Sequence, residues 1–108
     1  MYLFIVNPHA GRGKGLIVWN QVEAILRSEN ITYEVKFTKG KREAVKLTKN
    51  AIELQKWTAI IAVGGDGTVH EVANGLYGSQ IPLGYLPAGT GNDFAREWDI
   101  PFDAVAAW

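Results

Sequence analysis

The sequence predicts an α/β fold in which a parallel sheet is sandwiched between helices, in the Rossmann-like manner. Short apolar runs alternate with stretches of helical periodicity, an order that requires crossover connections and hence parallel strands covered on both faces. Glycine-rich turns follow the ends of the strands, the edge at which such sheets bind ligands. No repeat, linker or low-complexity tract divides the 108 residues.

Residues 2–6, Tyr2-Leu3-Phe4-Ile5-Val6, are continuously apolar and closed by Asn7-Pro8, as suits a strand buried on both faces. Beyond the turn Gly11-Arg12-Gly13-Lys14-Gly15, the residues Ile17, Val18, Val22, Ile25 and Leu26 recur near helical spacing until Ser28-Glu29-Asn30. That pattern predicts a helix of roughly three turns. Residues 31–37 alternate and are rich in β-formers, a second strand with one polar face. Ala44, Leu47, Thr48, Ala51 and Leu54 mark a second helix, ended by the Lys56-Trp57 region. Residues 59–63 form the third strand, 69–76 a short third helix, and 81–86 a fourth strand despite Pro82.

At 47% hydrophobic the chain can build a substantial core for one domain. Lys+Arg and Asp+Glu both total 11, so no global field steers it onto nucleic acid or an acidic membrane, and anion recognition must be local. The absence of cysteine removes disulfides, thiolate metal sites and thiol nucleophiles, and fits a reducing compartment. No apolar run approaches a membrane span; residues 57–63 are interrupted by Thr58. The default expectation is a cytoplasmic protein. Pro101-Phe102-Asp103 resembles a helix start that stops at Trp108, which reads as a truncated end.

Gly64-Gly65-Asp66-Gly67-Thr68 carries the most chemistry. Glycines let the backbone approach an anion, and the amides opening the next helix supply partly positive donors. An acid in such a turn would be repelled by a nucleoside triphosphate, by about 4 kcal/mol for unit charges about 4 Å apart at a dielectric near 20, unless a divalent cation lies between them. Asp66 therefore points to a metal-nucleotide site. Thr68-Val69-His70-Glu71 also matches a capping box, with Thr68 as the cap and Glu71 reaching back to a backbone amide. That bland reading explains both residues without explaining Asp66.

Pro87-Ala88-Gly89-Thr90-Gly91-Asn92-Asp93 is a second glycine turn. Thr90 can donate a hydroxyl to phosphate, Asn92 can hold the turn, and Asp93 can equally cap a helix and pair with Arg96. The segment from Asn7 to Gly15 offers amides with Arg12 and Lys14 as a clamp on negative oxygens. Its spacing is neither a Walker loop nor a dinucleotide fingerprint. Thr38 ends the second strand, followed by Lys39, Lys41 and Arg42, a basic turn that is ordinarily just solvated. His9 reads as a plain loop histidine, His70 as a helix-surface one, and Trp19 and Trp57 as packing residues. No histidine or acid spacing suggests zinc.

Asn7-Pro8 with its glycines, Gly64 to Thr68 with Glu71 and Asn74-Gly75, and Pro82-Leu83-Gly84 running on to Arg96 together resemble the diacylglycerol kinase catalytic domain family. The five-residue turn alone is shared with NAD kinases and, in similar form, phosphofructokinases. The segment from Gly89 to Arg96 is the specific part and favours the bacterial lipid kinases. Two departures stand out: Trp98-Asp99 replaces the more usual Leu-Gly, and Arg42-Glu43-Ala44 stands where a Gly-His-Ala type sequence is common.

The resemblance implies ATP-dependent transfer of the γ-phosphoryl group to a lipid hydroxyl such as that of diacylglycerol, with Mg²⁺, and a role in phospholipid biosynthesis. It implies a nucleotide site at Asn7, Thr38, Gly64, Gly65, Asp66, Gly67, Thr68, Val69, His70, Glu71 and Thr90, with Asp66 as the catalytic phosphate-metal acid. Gly89, Gly91, Asn92 and Asp93 would shape the cleft toward the lipid. In that family a second, β-rich domain follows and supplies the general base, so residues 1–108 are expected to be the N-terminal nucleotide-binding domain, binding ATP with little activity alone. The lipid acceptor would be met at a membrane surface, peripherally, by a longer form. A homodimer is left open, nucleic acid is not expected, and an NAD kinase-like enzyme and a non-catalytic nucleotide-binding regulatory module are the alternative functions.

Overall fold

The computed structural model describes residues 1–88 and forms one four-stranded parallel sheet. In chain order the elements are β1 (Tyr2–Val6), α1 (Ala10–Ser28), β2 (Tyr33–Phe37), α2 (Glu43–Ile52), β3 (Ala59–Gly64), α3 (Asp66–Gly75) and β4 (Leu83–Pro87). The predicted alternation of strands and helices is the observed one. The sheet order is β2-β1-β3-β4, with Val6 in register with Phe37 on one side and Val63 on the other, and Gly64 beside Pro87.

Alternation along the two central strands divides the core. Phe4, Val6, Ala59, Ile61 and Val63 pack under α1 against Val18, Trp19, Val22 and Leu26. Leu3, Ile5, Ile60 and Ala62 face the other way, against Ala44 and Ala51 of α2, Trp57, and Val72 of α3. All six residues of β3 are buried, which is why it reads as an unbroken apolar run. Trp19 and Trp57 are both packing residues. Trp19 lies 5.2 Å from the Phe4 ring centroid and 5.7 Å from that of Tyr33, while the Trp57 indole N–H donates to the Ala51 carbonyl at 2.7 Å.

Several boundaries differ from the sequence expectation for local reasons. β2 begins at Tyr33, so Ile31 and Thr32 belong to the approach, where the Ile31 N–H closes the end of α1 on the Leu26 carbonyl. α2 stops at Ile52, short of Leu54, which is 58% exposed. β4 begins after Pro82, whose carbonyl still accepts from the Ile60 N–H at 3.0 Å. α1 winds back to Ala10, but Gly11, Arg12 and Gly13 inside it have positive φ, so this stretch is a left-handed turn leading into a helix. α3 starts at Asp66, three residues earlier than the apolar pattern shows, because the glycine turn itself is the helix's first turn.

On the edge strand β2, the Tyr33 hydroxyl donates to Glu23 Oε2 at 2.6 Å and ties the strand to α1. The same phenol, then Glu23, holds the exposed Arg27 guanidinium above its ordinary range. Tyr33→Phe keeps the ring packing and deletes this part-buried bond to a carboxylate, so chemical denaturation should show a loss of about 1–2 kcal/mol. An unchanged midpoint would mean that the bond is exchanged for water at no cost.

Candidate functional site

The chain leaves β1 toward β2 on one side and later toward β3 on the other, so the loops after β1 and β3 diverge and open a crevice beyond the carboxyl ends of the strands. Backbone bonds align the exits: the Thr38 N–H reaches the Val6 carbonyl at 2.8 Å, the Asn7 N–H the Val63 carbonyl at 2.9 Å, and the Ala88 N–H the Gly64 carbonyl at 2.9 Å. Here lies a cavity of about 310 Å³, lined by Asn7 and His9 from the first exit, Thr38, Lys39, Gly40 and Lys41 from the second, Ala44 of α2, and Gly67, Thr68 and Glu71 of α3. That volume is at the lower end of the range of small-molecule sites.

Each wall has a local cause. The Asn7 side-chain oxygen accepts from the His9 N–H at 3.0 Å and turns the chain out of β1. Gly64 admits no side chain, since an added Cβ would come within 2.6 Å of Thr68 Oγ1 and 3.3 Å of Asn7 Cβ. The missing side chain lets Thr68 and Asn7 close in on the end of β3. Gly65 is the N-cap of α3, with no side-chain cap bond. The capping-box expectation is therefore corrected: Thr68 lies inside the first turn and does not cap it. The amides of Asp66 and Gly67 in that turn have no acceptor within the helix and carry its positive end.

Thr38 and Thr68 are only 7% and 6% exposed, and both line the cavity. The third buried threonine, Thr48, satisfies its hydroxyl by donating to the Ala44 carbonyl at 2.7 Å. Among the described residues the hydroxyls of Thr38 and Thr68 have no such partner. A buried polar group left without a partner costs about 1–3 kcal/mol, so two such hydroxyls on one cavity wall are placed to meet polar atoms that enter it.

The structure brings together Asn7, Thr38, Gly67, Thr68 and Glu71 from the predicted set. Gly64 is buried behind the wall, Gly65 begins the helix, and Asp66 stands exposed in its first turn beside the cavity, not on its lining. Val69 packs against the core and His70 is exposed, and neither lines the cavity. Gly89, Thr90, Gly91, Asn92 and Asp93 lie outside the described residues. The sequence reading gave His9 as a plain loop histidine, Lys39 and Lys41 as a solvated turn and Ala44 as a helix marker, and chose none of them, nor Gly40, as a site residue. All five line the cavity, and the available signal was position at the edge where the glycine turn lies. Gly15, read as part of an anion loop, is buried in α1 instead, and Arg12 and Lys14 are exposed off the cavity lining.

Magnesium is commonly held by one or two carboxylates together with substrate phosphates. The residues fit that mode: one carboxylate, Asp66, stands at the positive end of α3 beside a cavity whose basic wall is Lys39 and Lys41. Among the described residues no group of three or more His, Asp or Glu forms a self-sufficient metal cage. Nor, among them, is any helix long and apolar enough to cross a membrane.

Comparison with known proteins adds independent findings. The model of the diacylglycerol kinase catalytic domain matches residues 1–108. The Bacillus subtilis (strain 168) protein YtlR, named as a lipid kinase, is 37% identical over 102 residues, covering 92% of this chain and 33% of that protein. Sphingosine kinase 1 of Homo sapiens is 36% identical over 101 residues, covering 86% of this chain and 26% of that protein. A diacylglycerol kinase crystal structure from Bacillus anthracis str. Sterne superposes with a TM-score of 0.68 at 36% identity, over 94% of this chain and 38% of that one. The chain thus spans between about a quarter and two-fifths of the length of these relatives.

Proposed function

The chain belongs to the diacylglycerol kinase catalytic domain family, and from that premise we propose that it is the ATP-binding part of a lipid kinase. The observation that carries the reading is the pair of buried threonine hydroxyls, Thr38 and Thr68, unpartnered among the described residues, on one cavity at the positive end of α3. In this reading the triphosphate lies over the Asp66 and Gly67 amides and the Thr68 hydroxyl, Lys39 and Lys41 balance its charge, and Thr38 and Glu71 orient the remainder. Mg²⁺, held by Asp66 and the phosphates, would neutralise charge developing on the transferred group. Phosphoryl transfer depends mainly on alignment and charge neutralisation, so these residues would provide the donor half of the reaction.

The acceptor in this proposal is a lipid hydroxyl, of diacylglycerol or a sphingoid base, met at a membrane surface. Gly89, Thr90, Gly91, Asn92 and Asp93 would face it, and a further β-rich domain in a longer form would supply the general base. Residues 1–108 alone would then bind nucleotide with little turnover. The test offers γ-labelled ATP and Mg²⁺ to the chain and to a longer form carrying the downstream sequence, with diacylglycerol, sphingosine and NAD as acceptors. The expected result is nucleotide binding by both and labelled lipid from the longer form alone. Label in NAD would assign the chain to the NAD kinase-like alternative, and binding without transfer by the longer form would make it a regulatory module.

A further inference from the structure

Beside the nucleotide cavity, α2 and α3 border a second, open hollow of about 520 Å³, lined by Val45 and the exposed Arg42, Lys46 and Lys49 on one side and Glu71 and Asn74 on the other. The two helices meet closely: a Cβ on Gly75 would come within 2.6 Å of Thr48 Cβ and 3.1 Å of the Val45 carbonyl oxygen. Three cations against one carboxylate leave this groove with an excess of two positive charges.

Arg42 and Lys46 are held at some local cost, whereas Lys49 stands in the last turn of α2, where the dipole favours a cation. Arg42 has φ 65° and ψ 1°, a left-handed conformation that favours glycine. As the N-cap of α2 it sets a positive charge at the positive end of the helix dipole. Arg42 with Lys46, and Lys46 with Lys49, fall at like-charge spacings of four and three residues, which are mutually destabilising. Glu43 in the first turn meets part of the dipole mismatch, but no ion pair among the described residues engages these three cations; the pairs there are Arg27 with Glu23 and Lys56 with Glu34. Local rules broken together in one place mark function more often than accident.

We propose that the α2–α3 groove is a second anion site, selective for phosphate groups carrying two or more negative charges. Such a ligand relieves the cation repulsion and the dipole mismatch together, and Asn74 offers an amide to its oxygens. A monoanion would leave part of the excess unmet. The groove shares only Glu71 with the nucleotide cavity, so the site stands whether or not that cavity binds ATP. Its ligand can arrive as a phosphomonoester headgroup on a lipid surface or as a free phosphate compound.

The test compares the native chain with the triple variant Arg42→Gly/Lys46→Gln/Lys49→Gln and with Lys36→Gln, an exposed cation of β2 that lines neither cavity. The probes are inorganic pyrophosphate by calorimetry and phosphatidylcholine vesicles with and without phosphatidate by co-sedimentation. The triple variant should lose affinity about fivefold per cation removed, roughly a hundredfold in all, whereas Lys36→Gln retains it. Its melting temperature should equal or exceed the native value, because Arg42→Gly relieves the backbone, so lost binding cannot be ascribed to unfolding. Binding of pyrophosphate alone supports a free ligand and binding of phosphatidate vesicles alone a headgroup. Binding of neither probe by the native chain, or an equal loss in Lys36→Gln, overturns the site.

Discussion

Gly15→Ala should destabilise the chain by about 3 kcal/mol, a large share of the 5–15 kcal/mol typical of a domain. Gly15 is buried near the start of α1, and a methyl group there would lie 2.0 Å from the Asn7 carbonyl oxygen and 3.1 Å from its carbon. A flexible side chain could move aside, but these are backbone atoms. The Asn7 N–H is fixed to the Val63 carbonyl at 2.9 Å, and its carbonyl accepts from the Ala10 N–H at 3.2 Å. Making room therefore means parting β1 from β3 or opening the turn that starts α1. The control is Gly67→Ala: a Cβ there meets nothing within 4 Å, and the substitution should leave the urea midpoint unchanged or raised. Equal midpoints for Gly15→Ala and the native chain would show that the corner yields and that the close approach is dispensable.

That corner shows what could be seen in the sequence and what could not. Strand and helix order were legible because burial on both faces makes β1 and β3 continuous apolar runs, and α1 shows its buried stripe at Val18, Val22 and Leu26. The glycines at 11, 13 and 15 looked alike in sequence, yet only the first two adopt left-handed φ while Gly15 makes a packing contact. Periodicity cannot separate a glycine needed for its dihedral from one needed for its missing Cβ. The start of α3 was misplaced for a related reason: Asp66 and Gly67 carry no apolar signal, although they form its first turn. The basic wall of the cavity was discounted because Lys39 and Lys41 resemble any solvated turn until β2 is placed beside β1.

Asp66→Asn should weaken Mg-ATP binding roughly a hundredfold while leaving stability within about 1 kcal/mol of native. Placement of Asp66 in the first turn of α3 gives the carboxylate an ordinary structural value, since an acid at a helix N-terminus stabilises it by about 0.3–1 kcal/mol. A metal role predicts something that the dipole role does not, namely a change of sign with the cation. With Mg²⁺ present, the carboxylate attracts the divalent ion between itself and the phosphates; the gross interaction, about 4 kcal/mol per unit-charge pair at about 4 Å and a dielectric near 20, is reduced by desolvation to the expected hundredfold. Without Mg²⁺ the same carboxylate repels the triphosphate, so the Asn variant should bind free ATP as well as the native chain or better. Calorimetry in magnesium and in chelator reads both arms on one pair of proteins. If Asp66→Asn weakens binding equally in both, the carboxylate serves the helix or the cavity's shape and holds no metal; if it weakens only the magnesium arm, the acid among the glycines is there for the cation.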